Sequence, residues 1–133
     1  MKKLVFAMLV ITFVGTACSK DADKPNDVVG KWQWTMSVGG MTGKDTLRPP
    51  ANTTVYLFLN ANGSYQKTSN GQQSAEGYYS IVSVKSIFSG QMQSSIKFDN
   101  SVGDERLIGW DNGRLILTDN HTEPYAAIYT RVN

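Results

Sequence analysis

From Val28 to the C-terminus, apolar and polar residues alternate over short runs. Turn-forming residues interrupt these runs roughly every eight to twelve positions, the spacing of sandwiches and barrels. Trp32, Trp34, Met36 and Val38 fall on one side of a first strand, with Lys31, Gln33, Thr35 and Ser37 on the other. A period of two sets one face against a core and leaves the other in water. No helical period is sustained in this stretch.

The same reading predicts seven further strands, over residues 54–59, 64–69, 73–84, 92–98, 106–110, 114–118 and 125–132. Asn60-Ala61-Asn62-Gly63, Asn70-Gly71, Gly90, Asp99 to Gly103, Asp111-Asn112-Gly113 and Asp119 to Pro124 separate them. Asn-Gly pairs take the positive φ that tight hairpins need. Sequential strands joined by hairpins form an antiparallel up-and-down sheet, and closing it into a barrel removes its exposed edges. The expected fold is therefore all-β, an eight-stranded antiparallel up-and-down barrel over residues 28–133. Residues 39–52, rich in Gly and Pro, are the longest early connection and are read as a loop gating the open end.

The N-terminal pattern differs. Lys2 and Lys3 precede an apolar run from Leu4 to Val14, and Gly15, Thr16 and Ala17 lead into Cys18, the only cysteine. A run of eleven residues is short of the about twenty that span a bilayer, and the order of basic, apolar and small residues is that of a secretory signal over residues 1–17. A cysteine directly after the small residues resembles the bacterial lipobox. The resemblance implies acylation of Cys18, with palmitate-type chains, and anchoring in the outer membrane. Ser19 to Asp27 is polar and contains Pro25, as a flexible tether would. Ser19-Lys20-Asp21 resembles the export tags of surface lipoproteins in the Bacteroidetes group, which implies display at the cell surface.

Charge narrows the partners. Lys2 and Lys3 are two of the 13 basic residues, so the chain from Cys18 onward is balanced against its 11 acidic ones. Nucleic-acid binding calls for a clustered basic surface, which is absent from the sequence. With Cys18 consumed by lipid, neither a disulfide nor a thiolate metal site is expected. His121 lies beside Asp119, Asn120 and Glu123, but one His with carboxylates is a thin zinc set, and no run matches a calcium loop. There is no Gly-x-Ser-x-Gly elbow. Asp104 and Glu105 are adjacent and would point to opposite faces of a strand. No catalytic residue, metal or cofactor is assigned, and the chain is read as a non-enzyme.

Six segments carry a family resemblance: Gly30-Lys31-Trp32, Gly39-Gly40, Asn60-Ala61-Asn62-Gly63-Ser64-Tyr65, Gly77-Tyr78-Tyr79-Ser80-Ile81, Leu115-Ile116-Leu117-Thr118-Asp119 and Tyr129-Thr130-Arg131. In this order they resemble the lipocalin-like domains of small Bacteroidetes lipoproteins. The resemblance implies a calycin-type barrel closed at one end by Trp32 stacked under Arg131. Thr118-Asp119 is followed by Asn120 and not by the Tyr of secreted lipocalins, so their ligands are not carried over. Asp45-Thr46-Leu47 resembles a Bacteroidetes O-glycosylation motif and would present Thr46 on the long loop.

Eight strands enclose an interior that is either filled or holds one small ligand. Aromatic residues occupy most of the strands. A ligand carrier would need a continuous apolar cavity of about 300 Å3 or more, and a structural module engaging protein or glycan through its loops would be packed throughout. For the carrier, a small apolar ligand is expected between walls formed by Trp34, Met36, Leu57, Tyr79, Ile81, Ile96 and Phe98.

Overall fold

The computed structural model describes residues 27–99 and 105–133. Residues 1–26, read above as a signal, a lipidated Cys18 and most of a tether, and residues 100–104, read above as part of a turn and Asp104, lie outside them. The described residues form nine strands and no helix: β1 (Gly30–Gly39), β2 (Asp45–Leu47), β3 (Val55–Leu59), β4 (Ser64–Ser69), β5 (Gln72–Lys85), β6 (Met92–Phe98), β7 (Arg106–Asp111), β8 (Arg114–Asp119) and β9 (Tyr125–Val132). All pairings are antiparallel. Each strand from β3 onward pairs with the next, β1 pairs with β3, and β9 returns to β1. The result is a closed eight-stranded barrel with β2 as an additional strand. A sheet closed on itself has no unpaired rim to attract another chain.

The hairpins follow their turn residues. Asn70-Gly71 and Asn112-Gly113 have positive φ at both positions, as two-residue primed turns require. The β3–β4 turn is longer. There Asn60 N–H donates to Ser64 O at 2.9 Å, and the Asn62 side chain accepts from Ser64 N–H at 2.9 Å.

Directly opposed residues share a face of the sheet, so register identifies the interior. Trp32 opposes Leu57 and Arg131, and Trp34 opposes Tyr129. The β1–β9 register then shifts between Trp34 and Met36. Beyond it Ser37 opposes Ala127, and Met36 opposes Ile128. Ser37, Ala127 and Tyr129 are buried. The extra residue of a bulge reverses the alternation. Trp32 and Trp34 therefore face inward, whereas Met36 and Val38 face outward, contrary to the uninterrupted period read from the sequence. The Thr35 hydroxyl donates to Ile128 O at 2.9 Å and pins the irregularity.

Two further features depart from the sequence reading. The 39–52 connection is not all loop, because β2 pairs with the end of β1 through Ser37, Val38 and Gly39. Thr46 lies in this strand and is exposed. The second feature is the split use of β5. Its first half pairs with β4 and its second with β6. β6 meets β7 only at Ser95–Leu107 and Ile96–Arg106, where the Ser95 hydroxyl adds a bond to Arg106 O at 3.0 Å. The β5–β6 tip is fastened by Asn120, whose side chain donates to Lys85 O at 3.1 Å and accepts from Ile87 N–H at 3.0 Å.

Trp32, Leu57, Leu59, Ile96, Leu115 and Leu117 form the centre of the core. Removing the Trp32 side chain, which has no exposed surface, should cost about 3–5 kcal/mol. Chemical denaturation of Trp32→Ala measures this. Gly39 has φ of +148°, and a Cβ there would overlap the Pro124 carbonyl. Gly39→Ala should therefore destabilise by more than about 1 kcal/mol, because its backbone cannot accept a side chain without shifting.

Candidate functional site

One end of the barrel is closed by an arrangement centred on Trp32. The Arg131 guanidinium lies 4.3 Å from the centre of the indole ring. Such a contact is worth about 0.5–2 kcal/mol. Arg131 also donates to Val29 O at 2.9 Å and to Asp27 O at 2.5 Å, while the Trp32 indole N–H donates to Val28 O at 2.7 Å. The segment before β1 is thereby tied across the start of the first strand and the end of the last. Trp110 contacts Trp32 with ring centres 5.9 Å apart, and Val28 packs against the same core.

The inner faces of β3 to β9 line a cavity of about 210 Å3 that is open to solvent on one side. Leu57, Ala75 and Leu117 give it an aliphatic lining, and Tyr65, Phe98 and Tyr129 an aromatic one. Tyr65 and Phe98 meet edge to face at 4.7 Å. The remaining lining residues are Lys67 and Arg106. Both reach the interior through strand register, since Lys67 opposes Leu57 and Ala75, and Arg106 opposes Ile96 and Asp119. A wider, more open depression over Asn60, Gln66, Glu76 and Tyr78 is mainly polar, with Asn60, Glu76 and Tyr78 exposed. It lacks the apolar enclosure of small-molecule sites.

The electrostatics of the cavity are one-sided. Arg106 Nε lies 3.1 Å from Asp119 Oδ1, and Asp119 Oδ2 also accepts from Tyr125 N–H at 3.2 Å. His121 Nε2 is 3.8 Å from the same carboxylate. No carboxylate among the described residues lies within ion-pair distance of Lys67. Lys67 is exposed, but partial withdrawal from water lowers its pKa, and the positive charge of Arg106 lowers it further. Burial raises the Tyr129 phenol pKa, with Arg106 opposing the rise and Asp119 adding to it. Among the described residues the Tyr129 hydroxyl has no hydrogen-bond partner. No group of three or more His, Cys, Asp or Glu among them could hold a metal ion.

The seven wall positions read from the sequence separate. Leu57 and Phe98 line the cavity. Ile96 is fully buried in the core, and Trp34 and Tyr79 pack against it. Trp34 donates its indole N–H to Ser37 Oγ at 3.0 Å, and Tyr79 donates its hydroxyl to Asn60 O at 2.8 Å. Ile81 is half exposed beside Val28, Ser94 and Ile108, outside the cavity. Met36 is on the outer face, as the bulge dictates. Tyr65, Lys67, Ala75, Arg106, Leu117 and Tyr129 complete the lining without having been selected as wall residues. A signal for Lys67 was present, because period two through β4 places it on the face of Tyr65.

No protein-family model, curated protein or solved structure matches the chain.

Tyr129 gives this site a pH signature. A phenol whose pKa is raised in the folded state contributes fully below the free-tyrosine pKa of about 10 and loses that contribution as pH rises through its folded value. Wild-type protein should therefore lose more stability than Tyr129→Phe between neutral pH and about pH 11. Urea denaturation of the two proteins at each pH checks the sign.

Proposed function

We propose that this chain is a lipid-anchored envelope lipoprotein with a lipocalin-like domain, and that its barrel holds a small ligand without altering it chemically. The observation that carries the reading is the 210 Å3 cavity inside the barrel. Protein interiors generally contain few voids larger than a water molecule. This one is open to solvent and falls short of the about 300 Å3 expected above for a carrier of drug-sized ligands, yet an engineered apolar cavity of about 150 Å3 accommodates benzene. The fitting ligand is thus compact, with an apolar body somewhat larger than benzene. Anchoring through Cys18 at the cell surface would hold the barrel where such molecules arrive from outside.

A second reading, an accessory protein acting through its loops, draws on the exposed Ile87 and Phe88 at the β5–β6 tip. Native mass spectrometry of protein purified from its own cells separates the two. The carrier reading predicts a stoichiometric small-molecule adduct that is lost on denaturation. It also predicts that Ala75→Leu, which fills part of the cavity, removes the adduct while the fold is retained. A repeated absence of adduct favours the accessory role. Cys18→Ala should move the protein from the membrane fraction to the soluble fraction, and continued acylation of that variant would contradict the anchor.

A further inference from the structure

The balance of donors and acceptors around the cavity identifies the chemistry of its occupant more closely than its volume does. Three side chains on the lining carry polar ends that donate hydrogen bonds without a full set of protein acceptors. Lys67 has no carboxylate partner among the described residues. Tyr129 is 5% exposed as a residue, and its hydroxyl, which has no protein partner among those residues, reaches solvent in the pocket. Arg106 engages Asp119 through Nε at 3.1 Å, and its side chain remains 41% exposed. No carboxylate lines the cavity itself. The one acidic group close by, Asp119, is already shared by Arg106, the Tyr125 amide and His121. Two cations therefore stand over an otherwise aliphatic and aromatic enclosure.

Lys67 is exposed and the Arg106 side chain is 41% exposed, so water screens their repulsion in the open pocket. A neutral apolar occupant would strip that water from both charges without pairing either, at a cost. An anionic group between the two cations would remove it, and charge-assisted hydrogen bonds of this kind are the strong ones. Resting on the carrier reading above, we propose that the ligand is a small organic monoanion: its acidic head group sits against Lys67, Arg106 and the Tyr129 hydroxyl, and its compact apolar body lies among Tyr65, Phe98 and Leu117. The lowered Lys67 pKa agrees with this arrangement, since an ammonium group lacking its counter-ion loses its proton more readily.

Three probes of nearly equal size test this on the full-length protein by calorimetric titration: phenylacetate, benzyl alcohol and benzylamine. The expected order is phenylacetate first, benzyl alcohol at least about tenfold weaker, and no binding of benzylamine; one charge-assisted hydrogen bond accounts for a factor of that size. Lys67→Met should reduce phenylacetate affinity about tenfold, to near that of benzyl alcohol. It should leave the melting temperature unchanged or raised, because one of two like charges at the pocket is gone. Lys67→Arg should keep the preference for the anion. Equal affinity of wild type for phenylacetate and benzyl alcohol would overturn the head-group assignment and leave the carrier reading intact. An anion preference that survives in Lys67→Met would overturn the role of Lys67. Failure of all three probes to bind would overturn the assignment together with the carrier reading.

Discussion

The pairing of β1 with β9 is the constraint on which the rest of the molecule depends. It joins the two ends of the folded chain along eight residue pairs, from Lys31–Val132 to Gly39–Tyr125. Without it the sheet would have two open edges and an interior exposed along one side. The seam is reinforced where closure matters most. Arg131 covers the Trp32 indole and holds the backbone of residues 27 and 29. Closure therefore rests on hydrogen-bonded backbone along the seam and on one buried aromatic stacked under one cation at its end.

The bulge in β1 decides what the seam encloses. With unbroken alternation, Met36 and Val38 would enter the barrel beside Trp34. Instead the extra residue turns Ser37 and Gly39 inward. A serine and a glycine occupy far less volume than a methionine and a valine. The cavity lies elsewhere, among the inner faces of β3 to β9 with no β1 residue in its lining, and its cations come from β4 and β7.

Much of this fold was legible in the sequence, and the reasons are physical. Strand positions followed from period-two runs, and the hairpins from Asn-Gly pairs whose positive φ the structure retains at Asn70, Gly71, Asn112 and Gly113. The bulge was not legible, because an inserted residue leaves no mark in composition and one shift reverses every later side chain. The strand at Asp45–Leu47 was hidden by its brevity and by the glycines and prolines around it. The cavity was the least legible feature. Lysine and arginine ordinarily belong to the surface, and Lys67 and Arg106 both stay partly in water, so only register shows that they also line the inner faces. Sequence pattern finds apolar walls more readily than it finds the polar groups that select a ligand.

Closure of the barrel is the claim that supports the interior, its donors and any occupant. Hydrogen exchange followed by mass spectrometry tests it most directly. If β1 and β9 are joined as described, backbone amides in residues 31–38 and 126–132 exchange slowly and together, with the protection of the central strands β3 and β8. Rapid exchange of both segments while β3, β4, β7 and β8 stay protected would show an open sheet with two frayed edges and contradict the account.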